Sequence, residues 1–312
     1  MNKTAFLFSG QGSQYAGMGR ELCDNFPQAK AVYDAASEKF GYDVLALSLN
    51  GSEEELSKTA VSQPLIFTLS MAAYRVLEAN GLKPDAVAGF SLGEVSALTA
   101  AGAMSLETGF DVIARRAAAM QTAAESVPGA MFAVLGADAE TVEAACAAVS
   151  GNAGAYAVPV NYNCPGQIVI AGTEDTVKAA AKALSDAGHR VVRLSVNAAF
   201  HSKLMEPASE KFFAGVSGVS YGAAGVDFYS NVTGDRAEVD DIASYLKKQM
   251  TSPVRFSTEM ESMRRDGIDT FVELGPGKTL CGFIRRGLRG SSFYNVEDLA
   301  SAEKCISALG TR

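Results

Sequence analysis

The chain has 312 residues, 48% hydrophobic and 20% charged, a balance that suits a folded protein with a sizeable core and excludes a disordered one. A formal net charge of −8 argues against nucleic acid as a partner, since nucleic acid calls for a basic surface. Cys23, Cys146, Cys164, Cys281 and Cys305 are scattered and form no C-x-x-C pair, so they read as free thiols in a reducing compartment, with no metal-ligand spacing among them.

Thr4–Phe8 reads as a buried strand running into a loop in which Gly10 and Gly12 bracket Gln11, so that main-chain N–H groups there can approach a ligand. The apolar run after Lys3 ends at Phe8, too short for a secretory signal, and no apolar window reaches membrane-spanning length. The expectation is a soluble, cytoplasmic protein with no membrane partner. Residues 28–50 and 53–60 read as helices. Gln63–Ala79 repeats apolar residues at three and four spacing until Asn80-Gly81 stops it.

Ala86–Phe90 is short and apolar, as a buried parallel strand is, and Leu92–Met104 is rich in helix formers. Gly89-Phe90-Ser91-Leu92-Gly93 joins them. G-x-S-x-G at a strand-to-helix turn is a nucleophile elbow: it holds the serine in a strained conformation, and small residues on either side let the two elements pass. The turn exposes Ser91 Oγ and aims the first free N–H of the helix, that of Leu92, at the same point. Leu106–Ala124 is a further helix carrying Arg115 and Arg116. Neighbours on a helix point about 100° apart, so at most one of the two faces a pocket.

Strands at Met131–Leu135, Ala155–Val160, Gln167–Ala171 and Arg190–Val196, with helices at Ala139–Val149 and Glu174–Ala187, give the order βαββαβ of a ferredoxin-like unit. Beyond it come a strand at Val226–Ser230, helices at Asp240–Met250 and Ser257–Asp266, and a strand at Thr270–Leu274 that enters the turn Gly275-Pro276-Gly277. Strands alternating with helices outside the βαββαβ unit predict an α/β fold with a mostly parallel sheet, interrupted by an inserted subdomain. The division this implies is 1–127 with 198–312 for the larger domain and 128–197 for the insert.

A serine hydroxyl needs a base, usually histidine, and the chain has only His189 and His201. His189 stands at a helix-to-strand junction, where a histidine normally caps the helix and meets solvent. His201 follows SVNAAF, where the chain re-enters the larger domain, and is the better candidate. Spacing names no acidic partner for it. The order Ser, Asp or Glu, His is available, and a dyad oriented by a backbone carbonyl fits equally.

Three separated stretches, FSGQGSQ at 8–14, GFSLGE at 89–94 and AAFHS at 198–202, resemble the malonyl-CoA:acyl carrier protein transacylases. RAAAMQ at 116–121, NYNCPGQIVIAG at 161–172, SNVTG at 230–234, QMTSPVRF at 249–256 and ELGPGKTL at 273–280 extend the resemblance over nearly the whole chain. It implies an α/β-hydrolase-like domain with a ferredoxin-like insert, with Ser91 as nucleophile and His201 as base. It further implies the N–H groups of Gln11 and Leu92 as oxyanion donors, Arg116 rather than Arg115 as the ligand of the malonyl carboxylate, and the Gln249 carbonyl as the group orienting His201. Phe200, beside the base, would limit room for an α-methyl branch. The implied reaction carries malonyl from malonyl-CoA to the thiol of acyl carrier protein for fatty acid synthesis, with no metal or bound cofactor. A polyketide-type acyltransferase and a serine thioesterase are the alternatives.

Two residues depart from the family pattern: Phe90 stands where histidine is usual, and Ser9 where proline is. The implied base is His201, so Phe90 bears on the pocket and its acyl group rather than on the dyad. Residues 264–289 carry Arg264, Arg265, Lys278, Arg285, Arg286 and Arg289 against three acids, a docking patch in prospect for an acidic carrier.

Overall fold

A computed structural model describes residues 3–126, 128–151 and 154–310. The division drawn after residue 127, and the chain ends at 1–2 and 311–312, lie outside those residues. The first part of the chain runs β1 (Lys3–Phe8), α1 (Arg20–Asn25), α2 (Pro27–Phe40), α3 (Val44–Asn50), α4 (Glu53–Ser57), α5 (Thr59–Ala79), β2 (Ala86–Gly89), α6 (Gly93–Ala100) and α7 (Leu106–Ser126). A second group follows: β3 (Gly129–Leu135), α8 (Ala139–Val149), β4 (Ala157–Cys164), β5 (Gln167–Thr173), α9 (Glu174–Asp186) and β6 (Arg190–Arg193). The chain closes with α10 (Glu206–Val216), β7 (Asp227–Ser230), β8 (Asp235–Arg236), α11 (Ile242–Thr251), α12 (Phe256–Arg265), β9 (Ile268–Leu274), α13 (Thr279–Gly287), β10 (Ser292–Val296) and α14 (Leu299–Leu309).

Two sheets result. One has the order β10-β9-β1-β2-β7-β8 and is parallel except for the β7–β8 pair. Alternate residues of its central strands enter different cores: Phe6, Phe8 and Val87 pack with α2, α5 and α7, while Ala5, Leu7, Ala86 and Ala88 pack with Phe256, Met260 and Phe283 of α12 and α13. A sheet buried on both faces needs apolar residues at every position, which is why AFLF and AVA do not alternate with polar residues. The other sheet, in the order β4-β5-β3-β6, is antiparallel. Ala130, Val134 and Ile170 face α8 and α9 on one side, while Met131, Ala133 and Ala171 join the main core on the other.

The α/β architecture is the one expected from the sequence, with local differences. The helix expected at 28–50 is two, because Gly41 turns left-handed (φ 76°) to cap α2 and Asp43 caps α3 by accepting from the Ala46 N–H. α5 begins four residues before Gln63, with Pro64 inside it. β6 ends at Arg193 rather than Val196, and β4 runs on to Cys164. The periodicity and turn signals do not predict the helices α1, α10, α13 and α14 or the strands β8 and β10.

Candidate active site

The chain leaving the carboxyl ends of β1 and β2 lines one groove, the usual place for a site in an open parallel sheet. β2 ends at Gly89 and α6 starts at Gly93, so the chain reverses over Phe90–Leu92. Ser91 adopts φ 56° there, a left-handed conformation that costs a non-glycine residue about 1–3 kcal/mol. The flanking glycines are required by contact: a Cβ on Gly89 falls 2.0 Å from the Gly93 carbonyl carbon, and one on Gly93 falls 2.2 Å from Phe8 O. His201 also has positive φ, 59°, and lies just before a short 3-10 turn.

Ser91 Oγ lies 2.6 Å from His201 Nε2. On the far side of the ring, Nδ1 lies 3.1 Å from both Gln249 O and Ser252 O. Two carbonyls can only accept, so the proton sits on Nδ1 and Nε2 is left free to take one from Ser91. The ring is 4% exposed. Burial, and after it the positive charge of Arg116, push its pKa down to about 4, against the opposing pull of the two carbonyls. The imidazole is therefore a neutral base at neutral pH. His189, between α9 and β6, lines no part of the groove.

Arg116 is fully buried, whereas Arg115 is exposed. Its Nη1 donates to Gln63 Oε1 at 2.8 Å, and Nη2 to Gln249 Oε1 and Ser91 Oγ, each at 3.1 Å. Nε has no partner, and no carboxylate lies within ion-pairing distance among the described residues. The one buried carboxyl whose charge reaches it, Glu94, is itself pushed up to about 8 by burial and is neutral at pH 7. A guanidinium fully removed from water without a counter-ion is a prepared anion site.

Gln249 contributes three atoms. Besides its carbonyl on His201 and its Oε1 on Arg116, its Nε2 donates to Ser91 O at 2.7 Å. The main-chain N–H groups of Gln11 and Leu92 have no protein acceptor among the described residues. That of Ser91 is taken by Asn231 Oδ1 at 2.8 Å. Gln11, Ser91 and His201 line a groove of about 410 Å³ with Phe90, Met120, Met131, Asn161 and Phe200. The Phe90 ring packs edge-on to Phe256 at 5.6 Å, and Gly10 passes beneath it where a Cβ would meet Phe90 Cδ1 at 2.7 Å.

All six residues singled out from the sequence thus meet at one place. No motif or spacing assigns a role to Gln63, Ser252, Asn231 or Glu94. Glu94 passes for an ordinary first-turn acid, and SNVTG marks only the end of a strand. The feature that could have flagged Gln63 is a polar residue in the otherwise apolar stretch QPLIF.

A family model described as an acyl transferase domain matches residues 5–306. The chain is 39% identical over 311 residues to the malonyl CoA-acyl carrier protein transacylase of Bacillus subtilis (strain 168), covering 99% of this chain and 98% of that one. The crystal structure of MCAT from Streptococcus pneumoniae superposes with a TM-score of 0.92 at 41% identity, covering 98% of this chain and 100% of that one. A malonyl-transacylase in complex with its holo type II PKS acyl-carrier protein gives 0.94 at 34% identity, covering 98% and 100%. The chain therefore belongs to the acyl transferase domain family and, within it, to the malonyl CoA-acyl carrier protein transacylases.

Proposed function

We propose that this chain moves a malonyl group from malonyl-CoA to the phosphopantetheine thiol of an acyl carrier protein through an ester on Ser91, supplying fatty acid synthesis. The observation that carries this reading is Arg116, a buried guanidinium without a counter-ion whose Nη2 stands 3.1 Å from the Ser91 hydroxyl. Malonyl-CoA offers a carboxylate two bonds beyond the reacting carbonyl, and a guanidinium beside the nucleophile binds it through paired hydrogen bonds.

In the first half-reaction Ser91 Oγ attacks the thioester carbonyl while its proton passes to His201 Nε2. The oxyanion forms against the N–H groups of Gln11 and Leu92, the C–S bond breaks, and the imidazolium returns the proton to the departing CoA thiolate. In the second, the carrier thiol gives its proton to His201, its sulfur attacks the ester, and Ser91 leaves with the proton restored. One thioester replaces another, so no oxidant, metal or bound organic cofactor is called for. The incoming carboxylate also cancels the Arg116 charge that helps hold His201 down, so the correct substrate makes the base stronger.

Of the six cations in the carrier patch, Arg265 is paired with Asp235 and Asp266, and Lys278 with Glu297. This narrows the docking proposal to Arg264, Arg285, Arg286 and Arg289. A second reading, a polyketide carrier as acceptor, is favoured by the type II PKS complex above. The five cysteines are free and buried, which supports a cytoplasmic location. No helix among the described residues is long and apolar enough to cross a membrane.

The test is intact mass and peptide mapping after brief exposure to malonyl-CoA, acetyl-CoA or methylmalonyl-CoA, in the native chain and in Ser91→Ala. A malonyl adduct confined to Ser91 and discharged faster by a carrier protein than by water is the expected result. Free malonate released as fast as transfer makes the chain a hydrolase instead.

A further inference from the structure

Asn231 stands at the carboxyl end of β7, beside the elbow, and all of its polar positions are engaged. Its Oδ1 accepts from the Ser91 N–H at 2.8 Å, and its Nδ2 donates to Gly89 O and to Glu259 Oε1, each at 2.7 Å. Its main-chain N–H donates to Glu94 Oε1 at 2.6 Å, and its carbonyl accepts from the Arg255 N–H at 3.0 Å. The partners fix the amide orientation, since an N–H requires the oxygen and a carbonyl requires the nitrogen. Only a carboxamide presents one acceptor and two donors in one short plane.

The two elbow atoms it grips lie on either side of Phe90, so the side chain closes the bend like a clip. Glu94, from the helix that follows the elbow, holds the clip from behind and also accepts from the Tyr245 hydroxyl at 2.6 Å. Glu94 and Glu259 are both 0% exposed, and each leaves one carboxyl oxygen without a partner. Two bare charges there would repel each other with no cation in contact among the described residues, and burial raises both carboxyls, Glu94 to about 8, in favour of the protonated form.

We infer that Asn231 is a positioning residue for acyl transfer: its carboxamide holds the elbow closed, keeping Ser91 Oγ on His201 Nε2 and the Ser91 N–H away from the oxyanion. The residue touches no substrate, so it governs the rate of Ser91 acylation and leaves binding to Arg116. This rests on the function proposed above, and a probe that does not use malonyl separates the two.

The experiment compares the native chain, Asn231→Asp, and Asn231→Asp combined with Glu259→Gln. Each is treated with malonyl-CoA and, separately, with a fluorophosphonate that labels activated serines, and the modified protein is followed by mass. In Asn231→Asp an ionised oxygen replaces the Nδ2 donor against Gly89 O, a carbonyl that can only accept, so that grip on the elbow is lost. Labelling by either reagent falls about 100-fold at about pH 8, with KM for malonyl-CoA within about threefold of native. At about pH 5.5 the new carboxyl regains a proton to donate and labelling recovers tenfold or more relative to native. Glu259→Gln in the same chain supplies an N–H to the new carboxylate and restores part of the rate at the higher pH.

Equal labelling of the native chain and Asn231→Asp at the higher pH overturns the inference, as does a loss that neither pH nor Glu259→Gln changes. Should the Asp variant not fold, Asn231→Ala takes its place, with the same loss in kcat, now independent of pH. Failure of both to fold makes Asn231 a folding determinant and also overturns it. If the native chain reacts with the fluorophosphonate but not with malonyl-CoA, the malonyl reading fails, and the clip is judged on the fluorophosphonate rates alone.

Discussion

At the scale of the residue, Arg116 and His201 are coupled, and the coupling has a direction. The histidine is held near 4 by burial first and by the Arg116 charge second. On the proposed mechanism neutral imidazole is the reactive form, so kcat/KM for malonyl-CoA is expected to stay high down to weakly acid pH and to be lost as pH falls through about 4. Arg116→Ala lifts one of the two causes, so its acid limb moves toward the usual histidine range while burial keeps it below 6.5. On the proposed function, the same variant also loses the group that binds the malonyl carboxylate. Acylation by malonyl-CoA drops about 10³-fold, as when one member of a buried charged pair is removed, and acetyl-CoA acylation changes far less. Arg116→Lys keeps the charge without the fork and falls between the two. Stopped-flow acylation across pH with both thioesters measures this; an unshifted acid limb in Arg116→Ala excludes the coupling.

At the scale of the element, the elbow depends on β1, β2 and α6 crossing almost in contact. Gly93→Ala places a methyl 2.2 Å from Phe8 O, so the strand or the helix must shift. A loss of about 3 kcal/mol or more in urea unfolding follows, with acylation lost in the fraction that folds. Gly282 provides the contrast: it lies inside α13 with open space where a Cβ would go, and Gly282→Ala gains about 0.5–1 kcal/mol. These elements also mark how far the sequence could be read. The central strands, α6, α7 and the βαββαβ unit announce themselves through apolar runs and periodicity, because burial on both faces or on one stripe leaves that mark. β10 does not, since SFYNV is an edge strand exposed or half-exposed along most of its length, and neither does the break at Gly41 inside an otherwise helical composition. In the site, Ser91, His201, Arg116 and Gln249 could be picked out by motif and resemblance. Asn231 and Glu94 could not, because a polar residue's worth lies in partners 137–140 positions away, which no local pattern encodes.

At the scale of the whole molecule, the buried carboxyls set how stability follows pH. Burial raises Glu94 to about 8 and Glu273 to about 7, and raises Glu259 as well. In the unfolded chain all three ionise near 4.5, so above that pH the native state holds protons the unfolded state has released, and stability falls as pH rises toward 8. Each group contributes at most about 1.4 kcal/mol per pH unit within its window. His201 acts in the opposite sense. Its native value of about 4 lies below the unfolded 6.5, so stability falls as pH drops through that interval, and the surface carboxylates held low, Asp235 at about 2 among them, extend the acid loss. Three carboxyls outweigh one imidazole where the windows overlap, and the net charge of −8 adds self-repulsion on the alkaline side. The urea midpoint is therefore expected to be highest near pH 5 and to decline steadily to pH 8. The chain's pI is about 5.0, so the scan needs dilute protein and chemical rather than thermal unfolding, to keep association out of the signal. Glu94→Gln keeps an acceptor for Asn231 and Tyr245 but removes one titration, so its midpoint declines less steeply between about pH 6 and 8. A native midpoint that is flat from pH 5 to 8, or a Glu94→Gln slope equal to the native one, would show that these carboxyls ionise in the folded chain. The neutral surroundings that the proposed function gives Arg116 would then be absent.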